Sequence, residues 1–244
     1  MNAVPSPNVC YLISDQMPDS NPQDFQASIH HFYPGFNPAL RQLVPEGARV
    51  ILDVGCGAGG TAQDLSSGGI VVDGITWSEE EAEIARRHCR QVVVADVSGG
   101  LPQMQNGQYD CVICSHLLEH IAYPHKLLAD IKNVLVENGS LIVAIPNLFF
   151  WEDRLKLMLG RWDYMESGTF DYTHLRWYTH DTMPALIKTL GFKLDAFVGD
   201  GWFPFPGLRI LIGSHKRRQL NRLVAQRLPG LFAKQLVYLF TKTT

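Results

Sequence analysis

Apolar residues fall along this chain in short blocks set off by glycine, proline and polar turns. Blocks of about five are too short for helices and read as strands. Val50–Val54, Ile70–Ile75, Gln91–Ala95, Tyr109–Cys114, Leu141–Ile145 and Phe192–Val198 are such blocks, and Gln235–Phe240 alternates well enough to be a last strand. Between them the apolar spacing becomes helical: from the turn at Gly60 to about Ser66, from Ser78 through Cys89, over Pro124–Val136, and from about Asp181 to Leu190. Ser78 and Glu81 have the spacing of a capping box. Asn138-Gly139 reads as the stop of the third helix. Strands alternating with helices predict a doubly wound α/β fold around a mostly parallel sheet.

The rhythm fails in three places. Residues 1–48 begin with Pro5, Pro7, Pro18 and Pro22 among polar residues, an arm, and continue as short lid helices. Residues 148–178 are rich in aromatic and basic side chains, and 201–233 are irregular. We read 49–244 as one domain carrying these two stretches as acceptor-side insertions.

Composition changes this picture little. With 244 residues, 46% hydrophobic and 18% charged, the chain can fill one core. Its net charge of −3 gives no general attraction to nucleic acid or to an anionic membrane. The first residues lack the basic and apolar regions of a secretory signal. No apolar run approaches membrane-spanning length, so no stable membrane insertion is expected. Five cysteines (10, 56, 89, 111, 114) without framework spacing read as reduced thiols in a cytoplasmic protein.

Candidate chemistry centres on the stretch from Arg49 to Gly60, where a strand runs into a glycine turn and then a helix N-terminus. Such a turn lets backbone approach a ligand, and the helix presents unpaired N–H groups. The glycines fit two patterns: Gly55, Gly57 and Gly60 match G-x-G-x-x-G, and Asp53, Gly55, Gly57 and Gly59 match D-x-G-x-G-x-G. Ligands of open α/β sheets lie beyond the carboxyl ends of the strands. The residues there are the glycine turn, Thr76-Trp77-Ser78, Asp96-Val97, Ser115-His116-Leu117-Leu118-Glu119-His120 and Pro146-Asn147. An acceptor at Asp96 and a flat hydrophobe at Trp77 suit an adenosine ring.

Taken together, Ile51–Gly59, Asp96 and Tyr109–His120, with Pro124, a long helix and an apolar strand ending in Pro-Asn, resemble a class I S-adenosylmethionine-dependent methyltransferase. Phe170–Thr179 is similar to a signature of branches associated with cell-surface sugars or natural products. The resemblance implies a Rossmann-like seven-stranded sheet with an antiparallel last strand. It implies S-adenosylmethionine as cofactor and methyl transfer to an oxygen or nitrogen of a small molecule, such as a sugar or secondary metabolite. In this reading Asp53 organises the turn and the amino-acid end of the cofactor, and Gly55, Cys56, Gly57 and Gly59 hold its backbone close. Asp96 accepts from the adenine amino group with Val97 beside it, and Ser115 lies under the methionyl chain. Two positions depart from the family. Thr76 stands where the ribose-binding acid is usual, and Asn37-Pro38 replaces Arg-Pro, leaving the cofactor carboxylate to Tyr33 or to backbone N–H groups.

Methyl transfer from a sulfonium needs in-line approach and often a base. His116, just past the fourth strand, is the first candidate base, against a packing or positioning role. His174, with Asp171, is the second, against loop bonding. Cys111-x-x-Cys114 is no zinc motif, because residues three apart on a strand face opposite sides. His116, Glu119 and His120 share one face if helical. Some related branches hold magnesium there with Glu-x-x-Glu-His, but His116 is a poor ligand for that hard cation, and no metal is expected. A nicotinamide-linked oxidoreductase would want an acid where Thr76 stands. A non-catalytic cofactor-binding relative is the other alternative. A small-molecule acceptor is expected, and no nucleic acid, since no basic patch with aromatics is apparent. The oligomeric state is open.

Overall fold

The computed structural model describes residues 37–103, 107–204 and 213–243. The proline-rich arm and Tyr33 lie outside the described residues. Seven strands form one sheet: β1 (Val50–Val54), β2 (Val71–Thr76), β3 (Gln91–Val94), β4 (Tyr109–Ser115), β5 (Leu135–Pro146), β6 (Phe192–Asp200) and β7 (Gln235–Lys242). Their order is β3-β2-β1-β4-β5-β7-β6. The first five pair in parallel, and β7 runs antiparallel to both β5 and β6, as the resemblance implied. The order reverses between β1 and β4, which puts the crevice for a ligand beyond the carboxyl ends of those two strands.

The described helices are α1 (Pro38–Arg41), α2 (Gly60–Ser66), α3 (Glu79–Ala85), α4 (His125–Val134), α5 (Trp151–Met158), α6 (Thr182–Thr189), α7 (Ser214–Arg227) and α8 (Pro229–Phe232). The central strands are apolar without alternation because both faces are covered. Leu52, Val54, Val112, Cys114, Val143 and Ile145 join Leu127, Leu128 and Ile131 of α4 in one core. Ile51, Cys111, Ile113, Ile142 and Ala144 pack with Leu40, Ala62, Leu65 and Ala85 in the other. Cys111 and Cys114 therefore belong to opposite faces, and the described cysteines are free and buried. Burial pushes the Cys111 and Cys114 thiols well up from their ordinary range.

Two elements differ from expectation. Asn138-Gly139 does not stop α4, which ends at Val134 as β5 begins at Leu135. Asn138, at φ 58°, instead lies where the β4–β5 register shifts between Tyr109–Leu135 and Cys111–Ser140. An Asn-Gly pair serves such a bulge as well as a helix stop, since both need left-handed backbone. The second insertion is not irregular where described: Ser214–Arg227 is a 14-residue helix. It buries only Ala225, so no apolar stripe marked it. Leu155 and Met158 of α5, and Leu159 just after it, are exposed.

Asp73 lies inside β2, where a carboxylate needs full satisfaction. Arg90 Nε donates to it at 2.8 Å, the Tyr109 hydroxyl at 2.9 Å and Gln91 at 3.0 Å. Burial alone would raise its pKa, but these donors hold it below the usual carboxylate range. Asp73→Ala leaves the Tyr109 hydroxyl buried without its acceptor. We expect a loss of about 2–3 kcal/mol, less than for a wholly buried pair because Arg90 is half exposed. A urea-midpoint shift checks this; an unchanged midpoint would refute the role given to this network.

Candidate active site

The glycine turn follows from its strand. Gly55 and Cys56 both donate backbone N–H to Ile75 O, at 2.8 and 2.9 Å, which folds the turn over the end of β2. Gly59, at φ 82°, is the N-cap of α2, and a Cβ there would meet Ala85 Cα at 2.9 Å. A Cβ on Gly55 (φ 80°) would meet Leu117 at 3.2 Å. Only glycine fits both the backbone and the space. Cys56 is buried in the turn and directs its thiol to Gly57 O at 3.6 Å.

Asp53 sits beneath this turn, 1% exposed. Neither carboxylate oxygen has a hydrogen-bond partner of good geometry among the described residues. Burial pushes its pKa up to about 7, with the Thr61 side chain pulling the other way. A buried carboxylate left this way is costly unless a cation or donor joins it.

At the end of β2, Thr76 is buried and its hydroxyl donates to Glu81 Oε2. Glu81 is in the first turn of α3, whose N-cap Ser78 accepts from Glu81 N at 3.2 Å. The expected reciprocal bond from the Glu81 side chain is replaced by this reach back to Thr76. The other carboxylate oxygen, Oε1, lies 3.8 Å from where a Cβ on Gly57 would stand. A carboxylate thus occupies the end of β2 although the strand itself supplies none. Trp77 is 61% exposed over that edge and Val97 is buried. Asp96 is exposed and folds its own turn, accepting from Ser98 N and Oγ at 2.8 and 2.9 Å.

Ser115 ends β4, and His116 follows with φ 52°, a left-handed conformation that costs a non-glycine residue about 1–2 kcal/mol. Such strain gathers at functional sites. His116 Nδ1 lies 3.2 Å from Glu119 Oε1, and Nε2 lies 2.5 Å from Gln235 Oε1. Gln235 forms a reciprocal amide pair with Asn37, at 3.0 and 3.1 Å, and Asn37 also caps α1 through Ala39 N and Leu40 N. The residue replacing arginine thus serves the histidine. Burial works against a charged His116, but Glu119 outweighs it and raises the imidazole's pKa. Glu119 is 1% exposed; burial would raise its carboxyl, and His116 with His120 hold it below the usual range.

The loop after α5 brings His174 to the same place. Leu175 N and Arg176 N both donate to Glu119 O, at 2.8 and 3.0 Å. Arg176 Nε bonds Ala122 O. The His120 and His174 rings meet edge to face at 4.8 Å, and His174 Nε2 lies 4.0 Å from Glu119 Oε1. Burial lowers the His174 pKa below the ordinary histidine value. Asp171 is spent on the turn, accepting from Thr173 N at 2.8 Å and Thr173 Oγ1 at 2.6 Å. The structure therefore joins Glu119, His120 and His174, and His116 bridges from Glu119 to Gln235. Sequence reasoning missed Glu81 and Gln235 as site residues and marked Asn37 only as the replacement of an arginine; Glu81 carried a signal in its five-residue spacing from Thr76, and Gln235 carried none.

The sheet order, the glycine turn at its switch point and the residues past β4 together define a class I methyltransferase. A sequence model of a methyltransferase domain matches residues 29–196, and the chain belongs to that family. It is similar to the ubiquinone biosynthesis O-methyltransferase of Glaesserella parasuis, 28% identical over 106 residues, which covers 40% of this chain and 45% of that protein. The Acinetobacter baylyi protein of the same name is 32% identical over 103 residues, covering 40% and 43%. The matches thus span under half the length of these curated relatives. Among solved structures, a SAM-dependent methyltransferase from Archaeoglobus fulgidus superposes with a TM-score of 0.59 at 20% identity, over 83% of this chain and 91% of that one. Among the described residues no helix is long and apolar enough to cross a membrane.

Proposed function

We propose that this protein transfers the methyl group of S-adenosylmethionine to a hydroxyl oxygen of a small molecule. The observation that carries the reading is Asp53: a buried carboxylate beneath a glycine turn, with no well-formed hydrogen bond and no cation beside it among the described residues. The ammonium of the cofactor's methionyl end supplies the missing charge, while Gly55, Gly57 and Gly59 admit its backbone. Ser115 lies under the methionyl chain. Thr76 and Glu81 take the ribose hydroxyls, Asp96 the adenine amino group, and Trp77 and Val97 flank the adenine. Relatives named as O-methyltransferases support oxygen as the acceptor atom.

His116 is the base. Its Nδ1 faces the Glu119 carboxylate and its Nε2 the Gln235 amide oxygen, both acceptors, so the imidazole seen here carries both protons and becomes a base once Nε2 has released its proton to solvent. The acceptor hydroxyl, in place of the Gln235 oxygen, would then give its proton to Nε2 while its oxygen takes the methyl group from the sulfonium sulfur. Glu119 holds the imidazolium that forms, the role of the acid in a triad. S-adenosylhomocysteine and the methyl ether are the products.

Calorimetric titration with S-adenosylhomocysteine tests the cofactor site through its pH dependence. Below its pKa of about 7 Asp53 is protonated and offers no charge to the ammonium; above it the carboxylate is ionised. Affinity therefore rises with pH, by roughly eightfold from pH 6 to pH 7.5. Asp53→Asn binds weakly with no pH dependence in that range. Binding of NAD instead, or a flat profile in the unmodified protein, would overturn this placement. Methyl transfer from labelled S-adenosylmethionine to a panel of hydroxylated acceptors then tests the reaction.

A further inference from the structure

Backbone N–H groups fix the direction of the amide pair beside His116. Asn37 Oδ1 accepts from Ala39 N at 3.1 Å and from Leu40 N at 3.3 Å, so an oxygen must stand there. Asn37 Nδ2 then donates to Gln235 Oε1 at 3.0 Å, and Gln235 Nε2 donates back to Asn37 Oδ1 at 3.1 Å. Gln235 therefore turns an oxygen, which can only accept, toward His116 Nε2 at 2.5 Å. Its backbone has no freedom to withdraw, since it begins β7 between Pro146 of β5 and Asp200 of β6. The cap of α1 thus sets which end of an amide, 198 positions away in the chain, meets the histidine.

We propose that Gln235, oriented by Asn37, is a positioning residue that keeps both protons on His116 until the acceptor hydroxyl takes its place. An acceptor hydrogen-bonded to the charged form of a group favours that form. An unheld glutamine amide offers the ring either its oxygen or its nitrogen; the bonds to Asn37 select the oxygen. Burial works against charge on this ring, and Glu119 and then Gln235 favour it. Glu119 faces the ring from its own turn, with His120 and His174 beside Glu119. Asp200 and Lys234 are the charged residues next to Gln235 on β6 and β7. Substitution of Gln235 leaves all of these in place. Resting on the proposed methyl transfer, the cofactor alone then meets no free base. A hydroxyl that replaces the amide oxygen removes what favoured the Nε2 proton. That proton passes to water, which reaches a side chain 44% exposed, and the lone pair appears where the hydroxyl stands.

The test is a pH titration of the full chain, without cofactor or acceptor, read by nitrogen-15 NMR of the histidine rings. The His116 signals are assigned by their loss in His116→Ala. Gln235→Leu should lower the His116 pKa by about one unit, as loss of a hydrogen bond to a charged group does. Asn37→Ser keeps a capping oxygen for α1 but loses the amide pair, and should lower the pKa by a smaller amount. Gln235→Glu should raise it. Circular dichroism reports whether each variant is folded; should Gln235→Leu fail to fold, Gln235→Glu and Asn37→Ser decide. The same titration in Gln235→Leu, or in Gln235→Glu, as in the unmodified protein would overturn the proposal. A shift in Gln235→Leu with none in Asn37→Ser would overturn the part given to Asn37. With an acceptor from the panel, the acid limb of kcat/KM should move to lower pH in Gln235→Leu by the same amount. Shifted titrations without methyl transfer to any acceptor would leave the positioning role standing and sink the methyl-transfer reading.

Discussion

His116→Ala should lower kcat by roughly 10²–10⁴-fold while leaving S-adenosylhomocysteine affinity within about twofold. The histidine stands one residue past β4, at the switch point where the reacting groups meet. Its backbone is held at φ 52° against an intrinsic cost, through Nδ1 to Glu119 and Nε2 to Gln235. A group kept there only for packing would not leave 44% of its side chain exposed. Alanine removes the proton acceptor and leaves Asp53 and Glu81, assigned to the cofactor, untouched. Turnover and calorimetry on one preparation separate the outcomes. Unchanged kcat removes His116 from the chemistry, and a parallel fall in cofactor affinity makes it a cofactor contact.

Glu81→Ala should weaken S-adenosylhomocysteine binding by roughly 10–100-fold, the worth of one charge-assisted hydrogen bond to the ribose. Thr76 cannot supply that charge; Glu81, bonded to it and lying beside Gly57, can. Thr76→Val should also weaken binding, and the double variant should lose less than the sum, because the two side chains act as one unit. Thermal unfolding of each variant accounts for any loss of α3 stability. Unchanged affinity in Glu81→Ala would place the ribose elsewhere.

Local chemistry made much of this protein legible. Val50–Val54 followed by the glycines had to be a strand and a tight turn, since no other residue tolerates those backbone angles and contacts. The limits of β1 came out as read from the residues, and the sheet's antiparallel end as the family resemblance implied. The misreadings were also local. Asn138-Gly139 suits a bulge and a helix stop alike, and α7 shows no apolar stripe because it buries almost nothing.

The strand blocks, the glycine turn and the side chains past β4 are legible in the residues alone, because strand period, turn residues and helix caps act over a few neighbours. Tertiary structure alone decided which distant groups meet. Asn37 reaches Gln235 and through it His116, Glu81 folds back to the end of β2, and His174 arrives beside Glu119 and His120. No local periodicity encodes those meetings. They follow from the sheet bringing strand ends together, and from a buried carboxylate and two oriented imidazoles that find their partners only across the crevice.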